Sequence, residues 1–253
     1  MTLYDPVTER LDEINEALRL IQLKKGLTFG TDSYLLAAFA RPKPSGVCVE
    51  LGGGTGVVSL LAASRNKYRK IWAAELQPYF AELIARNAKL NSLEKKVFSL
   101  LADVRDLTPG NFGGEADSVI SNPPYMRSSS GRDNASEEMN IARREENGTV
   151  GDFCRTASKL LKHGGYFTVV YRPDRLAELL SAMTEARLEP KRLVMIYPTA
   201  GDKPCLVLAE GKKGAAPGII VSRPLLIYSD KSAGTYTADM NAVYDNFSLE
   251  HLY

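Results

Sequence analysis

Beyond Pro44 the chain alternates short apolar runs with helix-length segments, and this alternation restricts the fold more than any other feature. Residues 47–51, 71–75, 97–102 and 118–121 read as buried strands. Residues 57–64, 78–90, 153–161 and 173–186 read as helices. Residues 166–171, 193–197 and 205–210 bring the strands to seven. Such alternation predicts an α/β fold, a mostly parallel seven-stranded sheet with helices on both faces. Only residues 198–204 join the last two strands. That is too short for a parallel crossover, so an antiparallel hairpin is expected at the sheet edge.

Ahead of the sheet, Leu11, Ile14, Leu18 and Ile21 recur at near-helical spacing, so residues 11–22 read as an amphipathic helix, with a strand as the alternative near its end. A second helix is expected over 34–40, capped by Thr31 or Ser33 and stopped by Arg41-Pro42-Lys43-Pro44. No linker divides the chain. It reads as one domain over 46–253 carrying an N-terminal extension over 1–45.

Composition removes several function classes. The 253 residues are 44% hydrophobic and 25% charged, which excludes a disordered chain. Lys and Arg total 32 against 30 Asp and Glu, so any nucleic-acid contact must rest on a local patch. No apolar run reaches the roughly 18 residues of a membrane span, and no secretory leader pattern opens the chain. A cytoplasmic protein without a membrane partner is expected. Cys48, Cys154 and Cys205 are far apart, with no CxxC, which suits a reducing compartment. The two histidines, His163 and His251, exclude a His-rich metal site and leave a Ser-His-Asp triad without good candidates. No metal is expected.

Between the first strand and its helix stands Glu50-Leu-Gly52-Gly-Gly54-Thr-Gly56. Such a loop lets backbone approach a ligand and aims helix N–H groups at it. It fails the dinucleotide pattern G-x-G-x-x-G, because Val57 and Ser59 occupy the positions of the third glycine. No Gly-Lys-Ser/Thr follows, so the phosphate loop fails too. The pattern present is acidic-x-G-x-G-x-G. Two further acids, Glu75 and Asp103, close the second and third strands. Open α/β sheets bind ligands at those carboxyl ends. A carboxylate at Glu75 can take both hydroxyls of a ribose; Asp103 reads equally as a ligand acceptor or as a turn or helix-cap residue.

After the fourth strand comes Asn122-Pro123-Pro124-Tyr125. Two prolines fix φ and stop the strand, and the first restrains Asn122. The platform offers an amide oxygen, a carbonyl and an aromatic face, which suits a planar amino group on a conjugated carbon. Two acceptors hold its hydrogens and leave the lone pair free to attack.

The glycine motif resembles the first motif of class I S-adenosylmethionine-dependent methyltransferases, and Asn122–Tyr125 resembles the [DNS]-P-P-[YFW] motif of those that methylate amino nitrogens. The resemblance implies a class I Rossmann-like fold. It implies cofactor contacts from Glu50, Gly52, Gly54, Gly56, Glu75, Leu76, Asp103, Val104 and Asn122, and a catalytic set of Asn122, Pro123, Pro124 and Tyr125. Further segments are Gly30-Thr31-Asp32-Ser33 with its following apolar run, Ile141–Glu145, Pro224–Tyr228 and Gly234–Ala238. In this order they resemble the bacterial valine-tRNA adenine-37 N6-methyltransferase family over nearly the whole chain. That implies an N6-methyladenosine product, Thr31 and Asp32 over the cofactor, and tRNA or another structured RNA as partner. Ribosomal RNA or DNA, a protein glutamine, and a non-catalytic cofactor- and RNA-binding role are the alternatives. Residues 127–151 mix Arg127, Arg132, Arg143 and Arg144 with five acids, and read equally as a solvated lid or a phosphate clamp.

Overall fold

The computed structural model describes residues 3–25, 29–124, 148–246, 248–249 and 252. Seven long strands form the centre: β3 (Lys43–Leu51), β4 (Tyr68–Glu75), β5 (Val97–Leu101), β6 (Ala116–Ser121), β7 (Leu161–Tyr171), β8 (Leu188–Tyr197) and β9 (Leu206–Lys213). They run in the order β8-β9-β7-β6-β3-β4-β5. Pairs within β5-β4-β3-β6-β7 are parallel, and β9 is antiparallel to both β7 and β8. Two short strands, β10 (Ile220–Val221) and β11 (Leu225–Leu226), add to β8, so the sheet has nine strands rather than seven. The expected hairpin is present, but β9 is inserted between β7 and β8 and the short strands cover β8. Several strands are longer than the apolar runs, because polar segments such as residues 43–46 and 68–70 extend the ladders.

Helices α1 (Thr31–Phe39), α2 (Val57–Ser64), α3 (Pro78–Leu90), α4 (Val150–Leu160), α5 (Leu176–Glu185) and α6 (Ala238–Asn246) flank the sheet. Strand residues alternate between two cores. Cys48, Ile71, Ile120 and Leu208 pack with α1 and α2. Val49, Ala74, Val119 and Val207 pack with α4 and α5. Burial on both sides is why these strands read as unbroken apolar runs. Among the described residues no helix is long and apolar enough to cross a membrane.

The N-terminal expectation needs correction. Residues 11–22 are not a helix: β1 (Glu9–Asn15) and β2 (Leu18–Leu23) form an antiparallel hairpin. Ile21 and Leu23 pack on Phe80 and Leu83 of α3. The cap is also different, since α1 starts at Thr31 with Gly30 in the N-cap position and no side-chain cap bond. α1 is tied to the hairpin by the Tyr34 hydroxyl, which donates to the Ile14 carbonyl at 2.8 Å. Its C-terminal carbonyls at Ala37, Ala38 and Ala40 accept from the buried Lys67 ammonium. Near the C-terminus α6 packs on α1, where Tyr244 meets Tyr34 edge-on at 4.8 Å.

Candidate active site

The sheet reverses order at β3: the chain builds β4 and β5 on one side and β6 on the other. That reversal opens a crevice at the carboxyl ends of the strands, where doubly wound sheets take ligands. A pocket stands there, walled by the loop after β3, the ends of β4 and β6, and the start of α1.

The glycine loop is held from below by β4. The N–H groups of Gly52 and Gly53 donate to the Ala74 carbonyl at 2.9 and 3.0 Å. Gly56 is the N-cap of α2 with φ 83°, in the left-handed region. That conformation favours glycine, and a Cβ there would press on Ile84 of α3 at 3.2 Å. Gly53, which the motif does not count, is tighter still: its Cβ would meet Ile84 at 2.9 Å and the Ala73 Cβ at 3.1 Å.

Two carboxylates line the pocket from adjacent strands. Glu75 accepts from Gly54 N–H and Gln77 N–H, each at 2.9 Å. Burial raises its pKa, and these backbone donors oppose the shift. Each oxygen keeps a second lone pair. Glu50 accepts from the Ser59 N–H at 3.1 Å and from the Ser59 hydroxyl. Burial pushes the Glu50 carboxyl up to about 8, against the Ser59 bonds and with a smaller contribution from the charge on Glu75.

A testable consequence follows from Glu50. In the folded chain it keeps a proton that an ordinary carboxyl, near 4.5, has already lost. The stability contributed by Glu50 is therefore fully present below the unfolded value and is lost as pH rises through about 8. Glu50→Gln carries no charge and still offers Ser59 an acceptor. It is expected to flatten thermal stability between about pH 5 and 8. An unchanged slope in a melting series would show that Glu50 is not its source.

Most of the residues singled out from sequence share this pocket. Asp32, Glu50, Gly52, Gly54, Glu75, Leu76, Val104, Asn122, Pro123 and Pro124 all line it. Three do not. Thr31 opens α1 beside the pocket, near Tyr244 of α6. Gly56 packs under the loop against Ile84. Asp103 caps the short 3-10 turn Val104–Asp106, accepting from the Arg105 N–H and side-chain Nε at 2.9 Å each. The guanidinium holds the Asp103 carboxyl below its usual range, so the helix-cap alternative describes it here. Tyr125, the 127–147 part of the mixed-charge segment and Ile141–Glu145 lie outside the described residues.

The pocket also holds residues that sequence reasoning missed. Phe29, Gln77, Phe80 and Phe153 are on its wall. Phe29 precedes the Gly30–Ser33 segment and Gln77 follows Glu75 by two, so proximity to those motifs was an available signal. Phe153 comes from α4 and carries no such signal.

Asn122 emerges from β6 and its Nδ2 donates to the Asp32 Oδ2 at 2.7 Å. The other Asp32 oxygen accepts from the Ser33 N–H at 2.9 Å. The first turn of α1 is thereby fastened to the residue that precedes the two prolines.

Comparisons with known proteins agree with this geometry. The family described as the TRM5/TYW2 methyltransferase domain matches residues 38–145. The tRNA1(Val) (adenine(37)-N6)-methyltransferase of Porphyromonas gingivalis is 29% identical over 187 residues, 72% of each chain. A predicted O-methyltransferase from Agrobacterium tumefaciens superimposes with a TM-score of 0.68 at 22% identity, covering 86% of this chain and 97% of that one. A tRNA m1G37 methyltransferase from M. jannaschii gives 0.57 at 20% identity, over 82% of this chain and 58% of that one. The pocket fits S-adenosylmethionine by its own chemistry. Glu75 has acceptor capacity for a diol, Leu76 and Val104 supply apolar wall, and Gly52, Gly53 and Gly54 line the pocket with backbone. The chain is an S-adenosylmethionine-dependent methyltransferase of the α/β class, and it resembles the tRNA1(Val) (adenine(37)-N6)-methyltransferases.

Proposed function

We propose that this protein methylates N6 of an adenine in RNA, at position 37 of a tRNA beside the anticodon. The observation that carries the reading is the Asn122-Pro123-Pro124 platform on the wall of the cofactor pocket, one strand from the glycine loop. The tRNA named for the P. gingivalis relative supports the substrate class.

When bound, S-adenosylmethionine supplies an electrophilic methyl on a sulfonium. Glu50, Gly52, Gly54, Glu75, Leu76 and Val104 would hold it. Thr31, Gly56 and Asp103, expected on the cofactor from sequence, act in our reading by bracing α1, the loop and the turn after β5. The Asn122 carboxamide oxygen and the Pro123 carbonyl accept the two amino hydrogens of the base. That pairing turns the nitrogen lone pair out of conjugation and towards the methyl. The same two dipoles stabilise the positive charge that grows on nitrogen. Holding both partners in line removes much of the entropic part of the barrier. The nitrogen that becomes cationic releases its proton to water, so the chemistry needs no histidine. A base stacked in an anticodon loop has to be flipped out to reach the platform, and Tyr125 is read as its stacking partner.

Residues 1–45 are read as an extension that closes the cofactor side, supported by Phe29, Gly30 and Asp32 on the pocket wall. The protein is placed in the cytoplasm with its RNA.

The test is methyl transfer from labelled S-adenosylmethionine to total bacterial tRNA, followed by nucleoside mass analysis. Ribosomal RNA, DNA and a release factor are run beside it. N6-methyladenosine in tRNA is the expected product. Label in ribosomal RNA, DNA or the release factor instead keeps the cofactor chemistry and overturns the tRNA assignment.

A further inference from the structure

We infer that Asp32 is a positioning residue for methyl transfer, holding the Asn122 carboxamide with its oxygen rather than its nitrogen towards the substrate amine. The inference rests on the role proposed above for Asn122. It moves Asp32 from the cofactor set to the amine-binding platform.

A carboxamide is nearly symmetric in shape, and its two ends demand opposite partners. An amino group needs the oxygen. The flipped amide would oppose NH2 to NH2. Pro123, with no N–H, cannot correct the orientation from the chain that follows.

Asp32 supplies what is missing. An ionised carboxylate only accepts, so the Asn122 atom 2.7 Å from Oδ2 has to be the nitrogen. Among the described residues no donor reaches the Asn122 oxygen, and Asn122 lines the pocket. The carboxylate is itself fixed: Oδ1 accepts from the Ser33 N–H at 2.9 Å, in the first turn of the nine-residue α1. Anions are favoured at that end of a helix. Gly30 keeps the space beside it open, since a Cβ there would lie 3.0 Å from Oδ1. Among the described residues no cation pairs with Asp32. A charged acceptor on Nδ2 polarises the amide and strengthens its oxygen as an acceptor. That effect is worth most when the amine nitrogen becomes positive.

Two arms test this. The first measures the single-turnover rate and the dissociation constant of S-adenosylhomocysteine in wild type, Asp32→Asn, and the exchanged pair Asp32→Asn with Asn122→Asp. Asp32→Asn keeps shape and loses charge and orientation. It is expected to lower the rate about 10–100-fold, with the dissociation constant moving less than about threefold. In the exchanged pair the carboxylate moves to 122, so the oxygen again faces the amine and much of the rate returns. A dissociation constant that rises in step, with wild-type rate at saturation, returns Asp32 to the cofactor and overturns the inference.

The second arm needs no substrate. The Asn122 side-chain NH2 signals, identified by their loss in Asn122→Ser, are followed by ¹⁵N NMR. One proton is expected downfield and slow to exchange in wild type, and ordinary in Asp32→Asn. A signal that is ordinary in both overturns the inference. If wild type methylates another amine instead of tRNA, the proposed function fails while the rate ratio on that amine still decides the role of Asp32. If no amine is accepted, the NMR arm decides it.

Discussion

Asn122→Ala is expected to lower the rate of methyl transfer by about 10²–10³-fold, the usual cost of removing one preorganised stabiliser of transition-state charge. The alanine leaves the two prolines, and hence the backbone of the platform, in place. What disappears is the amide that receives one amino hydrogen of the base. The Asp32 carboxylate also loses its only side-chain partner among the described residues. The loss therefore exceeds that for Asp32→Asn, which acts through Asn122. Some weakening of cofactor affinity is expected as well, because Asn122 lines the same pocket as Glu50 and Glu75. Single-turnover rates at saturating cofactor separate the two effects. A variant whose rate recovers fully at high cofactor would place Asn122 in binding and not in transfer.

Asn87→Ala carries the largest expected effect on stability. Asn87 is fully buried on α3. Its oxygen accepts from the Ile21 N–H at 2.7 Å, and its nitrogen donates to the carbonyls of Ile21 at 3.0 Å and Thr55 at 2.9 Å. Asn91, one turn on, repeats the pattern with Arg19. The match is geometric: four helical residues advance about 6 Å, and two strand residues advance about 6.6 Å. The two asparagines thus pair with β2 as a neighbouring strand would. Alanine at 87 leaves three buried backbone groups without partners, at a cost of about 3 kcal/mol. For a chain of this size the melting temperature should fall about 6–12 °C. Asn91→Ala, at a half-buried position, should fall far less. Because Thr55 belongs to the glycine loop, cofactor affinity should weaken with Asn87→Ala too. Equal melting temperatures for Asn87→Ala and wild type would mean that water replaces the amide.

This ladder also shows why part of the fold escaped the sequence. The central strands were legible because burial on both faces makes them continuous apolar runs, and α3 because Pro78 marks its first turn. The N-terminal hairpin was not. In β2, Leu18, Leu20, Ile21, Gln22 and Leu23 are all buried, so the alternation that marks a strand is erased. Its partners, Asn87 and Asn91, are more than sixty residues away and polar. The site divides similarly. Gly52, Gly54 and Asn122–Pro124 were legible because backbone constraints dictate residue type at fixed spacing. Phe153 and the Asn122–Asp32 bond were not, because tertiary packing alone brings them there. Asp103 was half legible: the strand end was read correctly, and its engagement with Arg105 two residues on was not.

The placement of β9 has a consequence for the order in which this molecule is made. Every described residue on the pocket wall lies from Phe29 to Phe153, so this part of the site leaves the ribosome first. The sheet that supports it cannot close then. One edge of β7, residues 166–171, pairs with Val207–Lys212, which is synthesised some forty residues later. Until that strand arrives, a buried apolar edge stands open, the kind of surface that recruits other chains. The same late strand brings Glu210, whose carboxylate meets Arg192 at 2.7 Å and Arg41 at 2.8 Å. Closing the sheet and bringing one carboxylate between two arginines are therefore one event. A nascent chain stalled before residue 206 would carry a complete set of pocket residues on a scaffold that cannot yet hold them, a natural client for a chaperone.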